Sequence, residues 1–207
     1  ERMRLKVQLL YYLNEWASSE KLADAFLREL PQSEIASLVF YYLNKSLLSQ
    51  NKPLNQNLIM REQASKSLQP KFRSDFLHIL SDEALLKGDL LMAIQYRLEE
   101  LNNLETAKAP ELEKLENLLN KIQSLEELSI LSGNYPNLIW LQDKIFEMEL
   151  ELLAKLKRYR DALRLLDQRL IAVRKIEDQE EVEHLEQMQV RFMTALNVSP
   201  RRIGVIL

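Results

Sequence analysis

Cysteine is absent from the 207 residues of this chain. Its absence excludes disulfides, thiolate nucleophiles, iron–sulfur clusters and zinc knuckles, and fits the cytoplasm and an oxidising periplasm equally well. Glycine (3) and proline (6) are scarce, which argues against a sheet protein rich in tight turns. No apolar run approaches the roughly 18 residues needed to span a bilayer. A dominant charge is missing as well: 28 basic residues face 31 acidic ones, for a net charge of -3. No global field therefore draws in DNA or RNA, and nucleic-acid binding is not expected. The chain opens Glu1-Arg2-Met3 with no signal peptide, as expected for a piece of a longer protein.

What the sequence does contain is Leu, Glu, Lys, Gln and Ala, the residues that lose least entropy in a helix. At 46% hydrophobic and 29% charged, the composition is that of a folded α protein. Pro31, Pro53, Pro70, Pro110, Pro136 and Pro200 fall between periodic apolar stretches, so one long rod is excluded. The first helix is expected over 3–17, with Leu5, Leu9, Leu10, Leu13 and Trp16 at helical spacing. A second follows Ser18-Ser19 and runs to Leu30, and Ser33 is placed to cap a third that ends near Ser49. Further helices are expected over 55–67, 71–87, 89–103, 110–122, 124–131, 137–156, 159–175 and 178–196. Residues 104–109 read as a loop and 132–136, around Gly133, as a turn. Short connections make successive helices antiparallel neighbours.

Two internal similarities bear on architecture. Tyr11-Tyr12-Leu13-Asn14 recurs thirty residues later as Tyr41-Tyr42-Leu43-Asn44. Lys87-Gly88-Asp89 followed by Ala93-Ile94 parallels Lys157-Arg158-Tyr159 followed by Ala162-Leu163, with the alanines 69 residues apart. A small residue is needed where the second helix of a pair crosses the first, because only then can the backbones approach. Residues 87–98 and 156–167 resemble the second half of the tetratricopeptide motif, whose period is near half that spacing. Ala195 and Pro200 stand five apart like its closing alanine and proline. The copy expected around Leu128 is degenerate, and the motif's first-helix tryptophan and glycine are missing throughout. The expected fold is thus all-α: an α-α superhelix of antiparallel, tetratricopeptide-like helix pairs, ten or eleven helices over residues 1–198.

Residues 199–207 read as a linker and the start of a further domain. Arg201-Arg202-Ile203-Gly204-Val205-Ile206-Leu207 is β-branched and apolar, and suits a buried parallel strand. It resembles the first strand of a periplasmic-binding-protein-like domain. A tetratricopeptide-like domain ahead of such a strand resembles the penicillin-binding protein activator lipoproteins. That resemblance implies an outer-membrane-anchored periplasmic protein with a peptidoglycan synthase as partner, touching the membrane only through a lipid anchor outside residues 1–207. A cytoplasmic tetratricopeptide adaptor and a helical accessory domain of a cell-wall enzyme remain open alternatives.

Chemistry-bearing residues are sparse. His78 and His184 each stand alone on a helix, with no second histidine three or four residues away to hold a metal. No phosphate-cradling loop, Gly-x-Ser-x-Gly or His-Glu-x-x-His is present. Glu99-Glu100, Glu126-Glu127 and Glu180-Glu181 read as solvated helix faces, since acid–base work needs one carboxyl shielded from water. No catalytic, cofactor or metal residue is therefore expected, and only a cleft holding His78 with buried carboxylates would argue otherwise. The expected role is a non-catalytic protein-interaction or scaffold module. Tandem tyrosines cannot all face inward, so Tyr11, Tyr12, Tyr41 and Tyr42 are the first candidate contact surface. Tyr135 and Trp140 are the second.

Overall fold

A computed structural model describes residues 1–102, 109–175 and 178–196. The expected loop core at 104–108, Pro200 and the expected strand at 203–207 lie outside the described residues. The described chain is all-α, with eleven helices and no strand. They are α1 (Arg2–Tyr12), α2 (Trp16–Glu29), α3 (Ala36–Ser49), α4 (Leu58–Ser67), α5 (Pro70–Leu86), α6 (Leu90–Asn102), α7 (Ala109–Leu119), α8 (Leu125–Asn134), α9 (Ile139–Lys155), α10 (Tyr159–Arg174) and α11 (Gln179–Ala195). The chain divides into two compact units, Glu1–Leu119 and Asn120–Leu207. That division falls inside the single helical domain expected over 1–198.

Helix ends explain the pairing. Asn14, Asn51, Gly88 and Lys157 all take positive φ, one residue past the C-caps of α1, α3, α5 and α9. Each lies in the same pair of reverse bonds. The amides of Asn14, Asn51, Gly88 and Lys157 donate three residues back, and the amides that follow donate five residues back. All eight bonds measure 2.8 to 3.0 Å. This left-handed stop satisfies orphan carbonyls and reverses the chain. After Asn14, Gly88 and Lys157 the next helix begins within two residues, giving the antiparallel hairpins α1–α2, α5–α6 and α9–α10. The four stops are 37, 37 and 69 residues apart, the last spacing being close to twice the others.

That register sorts the two sequence similarities. Ala93 and Ala162 are five residues past Gly88 and Lys157, and both are fully buried. Ser19 stands five past Asn14 and is equally buried, so a small residue fills the same crossing in all three hairpins. The thirty-residue Tyr-Tyr-Leu-Asn match is out of register. Asn14 stops α1, whereas Asn44 is buried inside α3, donating to the Phe40 carbonyl and accepting from the Asn55 amide.

Two substitutions test the stop. Gly88→Ala adds a Cβ that meets nothing within 4 Å, so its cost is backbone strain alone, about 1 kcal/mol. Lys157→Gly removes the same strain and should raise stability by up to about 1 kcal/mol. Opposite shifts in urea midpoint are expected, and a fall in both would contradict the shared conformation.

Several sequence expectations are corrected. The first predicted helix is two structures, because Asn14 ends α1 and Trp16 opens α2. Within α1 the buried side is Val7 with half-buried Tyr11, and Leu5, Leu9 and Leu13 are exposed. At 100° per residue Val7 and Leu9 lie on nearly opposite faces, and α2 and α3 cover only one of them. Ser33 does not cap α3 through its side chain. Ile35 is the cap residue, and only the Ser33 carbonyl takes an amide, from Ala36. Gly133 lies within the last turn of α8 instead of in a turn that follows it.

The core of the first unit is built around α3, which touches α1, α2, α4 and α5. Being surrounded, it buries Ala36, Ser37, every residue from Val39 to Asn44, Ser46 and Leu47, where a surface helix would bury one stripe. Phe40 packs edge-to-face on Phe76 of α5 at 6.0 Å. Buried hydroxyls are satisfied internally: Ser46 donates to Ser19 at 3.0 Å, and Ser19 donates to the Val7 carbonyl at 3.1 Å. In the second unit Leu150, Leu153, Ala162, Leu166, Leu170, Val173 and Leu185 close a core across α9, α10 and α11. Arg169 ties those helices together, donating to Asp143 at 2.7 Å and Glu181 at 2.8 Å while lying over the Phe146 ring.

Candidate functional site

The first candidate cluster comes together in space, but most of it is core. Tyr11, Tyr12, Tyr41 and Tyr42 form a chain of ring contacts with centroids 5.0 to 6.1 Å apart, continued by Phe72. Tyr41 and Tyr42 are adjacent and both buried, and the tandem tyrosine that faces solvent is Tyr12. The cause of the burial is α3's central position, which leaves no outer face. Burial raises the hydroxyl pKa of both, and Tyr41 is raised further by its bond to the Asp75 carboxylate at 2.5 Å. Tyr11 is half-buried. Tyr12 is 62% exposed and reaches the Tyr42 hydroxyl at 3.3 Å. Tyr12 thus joins Leu5, Leu9 and Leu13 on an apolar strip along the outside of α1.

Asp75 anchors the inner end of that cluster. Burial alone would push its carboxyl up, but bonds from Tyr41 and from Lys45 at 3.0 Å outweigh this and hold it below its ordinary value of 3.8. A depressed carboxyl stabilises the fold above its unfolded pKa and loses that contribution as pH falls through the folded one. Asp75→Asn is therefore expected to lower the urea midpoint at pH 7, with the gap to the parent closing as pH drops below about 3.8. A gap independent of pH would point to packing instead.

In the second unit, Trp140 is exposed beside exposed Ile139 at the start of α9. Tyr135 is half-buried, and its carbonyl accepts from Gln142 Nε2 at 2.9 Å. Gln142 also bonds the Ser132 hydroxyl and carbonyl, pinning the α8–α9 corner.

Sequence reasoning missed a buried ion cluster on the α5–α6 hairpin. Glu100 belongs to a pair expected to be solvated, yet it is only 5% exposed. Arg97 Nη1 donates to Glu100 at 3.0 Å and Nη2 to Asp82 at 3.0 Å. Ser74 donates to the other Glu100 oxygen at 2.8 Å. His78 stacks into the same cluster, with its ring nitrogens against the Arg97 guanidinium and 3.6 to 3.9 Å from Asp82 and Glu100 oxygens. Arg97 offsets the buried charge of Glu100 and also reaches the more exposed Asp82, so the arrangement acts as a strut between α5 and α6. Side chains of Arg97, Glu100 and Ser74 line none of the first unit's described cavities. Among the described residues no three His, Asp or Glu are grouped to hold a metal ion, and no helix is long and apolar enough to cross a membrane.

A groove of about 460 Å³ runs between α4 and α6 over α5. Leu58, Arg61, Glu62, Ser65 and Lys66 line one wall, and Tyr96 and Glu99 the other, with Leu80 and Arg73 from α5. Leu58, Arg61, Glu62, Ser65 and Lys66 recur at three- and four-residue spacing, which in sequence is indistinguishable from a solvated polar face. Arg61 is 8% exposed. Its Nε donates to the Asn55 carbonyl at 2.7 Å and its Nη1 to Glu83 at 2.8 Å. Burial would raise Glu83, but bonds from Arg61, Lys87 and Gln56 hold it below the usual carboxylate range. Glu99 goes the other way: burial raises it, against the pull of Arg73 and Lys66.

No known protein family, characterised protein or solved structure matches the chain.

Proposed function

We propose that this chain is a non-catalytic protein-interaction module that holds and positions other components. The observation that carries this reading is the repeated left-handed stop at Asn14, Asn51, Gly88 and Lys157, with a small buried residue at the same crossing in three hairpins. A hairpin of this kind cannot bury its apolar face alone, so it packs on neighbouring helices within its unit and leaves its other face for partners. The exposed strip of Leu5, Leu9, Tyr12 and Leu13 and the exposed Ile139-Trp140 pair are apolar surfaces of the sort partners cover.

The resemblance at residues 87–98, 156–167 and 201–207 supports a more specific reading, the N-terminal domain of a penicillin-binding protein activator lipoprotein. The partner would then be a peptidoglycan synthase in the periplasm. The flanking gene sequence tests this. A lipid-accepting cysteine upstream and a ligand-binding domain opening with Pro-Leu-Ser-Gly downstream are expected. A catalytic fold with an essential glutamate downstream, or the lack of both features, would leave an accessory domain or a cytoplasmic adaptor in its place. The partner is tested by mixing the full-length protein with a purified bifunctional peptidoglycan synthase. Complex formation and altered glycan polymerisation are expected, and no effect on either would overturn that assignment.

A further inference from the structure

The α4–α6 groove has buried hydrogen-bond donors that nothing in the described chain uses. Arg61 Nη2 is shielded from solvent and has no acceptor, while Nε and Nη1 donate to the Asn55 carbonyl and Glu83. Arg73 Nε is buried without an acceptor too, and Arg73 forms no ion pair among the described residues. Leaving a buried cationic donor unmet is costly, and native structures do so where a ligand or an ordered water supplies the acceptor. The lining carries three cations, Arg61, Lys66 and Arg73, against two carboxylates, Glu62 and Glu99.

The shape of the groove narrows the ligand. Its α4 wall runs from Leu58 to Lys66, about 12 Å of helix, which is longer than one free carboxylic acid. Leu58, Leu80 and Tyr96 add apolar surface to the same lining as Arg61 and Arg73. Leu58 and Lys66 are exposed side chains on the α4 wall. Planar guanidiniums match a carboxylate in a two-bond fork.

We propose that this groove binds an extended peptide segment of a partner protein, taking an Asp or Glu carboxylate on Arg61 and Arg73 and a neighbouring apolar side chain over Leu80 and Tyr96. The assignment rests on the interaction-module reading and gives it a site and a chemistry.

The test uses a fluorescent peptide Leu-Glu-Leu-Asp-Leu, blocked at both ends, and its Leu-Gln-Leu-Asn-Leu counterpart, with anisotropy as readout. The acidic peptide should bind, its amide counterpart should bind about tenfold or more weaker, and Arg73→Gln should erase the difference. Glu99→Gln should tighten the acidic peptide. Arg61→Gln also unpairs Glu83, so Arg73→Gln is the deciding variant. The side-chain Nε–H resonance of Arg73 should move on titration with the acidic peptide. Equal binding of both peptides, an unmoved Arg73 resonance, or N-acetylglutamate binding as tightly as the peptide would overturn the proposal. So would a crystal structure grown with the peptide in which a lone ordered water fills the Arg61 Nη2 position. If the peptide fails while the full-length protein still captures its partner through Arg73→Gln, the groove assignment falls and the interaction module stands.

Discussion

Arg97→Met is expected to destabilise the unit Glu1–Leu119 by about 3–5 kcal/mol, because it strips the counter-charge from a carboxylate inside the fold. Arg97 and Glu100 are almost wholly buried side chains, and Arg97 also reaches Asp82. Without Arg97, Glu100 keeps only the Ser74 hydroxyl at 2.8 Å and the edge of His78. An uncompensated buried charge costs far more than the pair itself contributes, because both charges have already lost their water. The double variant Arg97→Met with Glu100→Leu should therefore recover much of the loss, since two apolar side chains of similar size need no counter-charge. Urea unfolding of the four-member cycle provides the measurement. A double variant no more stable than Arg97→Met would mean that packing, not charge, holds this hairpin.

Tyr42→Ala is expected to cost a similar amount, about 3–5 kcal/mol, as for other large aromatic truncations in a packed core. The ring is fully buried and lies against Tyr11, Tyr12, Tyr41 and Phe72. Tyr12→Ala, at a mostly exposed ring, should cost under about 1 kcal/mol. Tyr42→Phe removes only the 3.3 Å contact with the Tyr12 hydroxyl and should cost about 1 kcal/mol or less. Partner capture should respond in the opposite order, with Tyr12→Ala weakening it while the fold stays intact. Comparable losses of stability for Tyr12→Ala and Tyr42→Ala would contradict the buried placement of α3.

The candidate surfaces were only partly legible. The four tyrosines do meet, yet two of them are structural. Sequence spacing tells which residues share a helix face, but a helix ringed by four others has no outer face to assign. The groove donors were not legible at all. Arg61 and Arg73 read as ordinary solvated charge, and only tertiary packing shields Arg61 Nη2 and Arg73 Nε from water. Glu100 was misread for the same reason, since nothing local distinguishes it from exposed Glu126.

By itself, the sequence determined that this chain is helical, where most helices begin and end, and that the segments around Gly88 and Lys157 are equivalent. Those properties are short-ranged, set by side-chain entropy, the fixed geometry of proline and the small residue a helix crossing demands. Only the tertiary structure decided that Val7 and not Leu9 faces inward, that Asn14 and Asn51 continue the series of stops, and that Tyr41, Tyr42 and Glu100 lose their water. Burial depends on how many neighbours an element acquires, and that number is a property of packing.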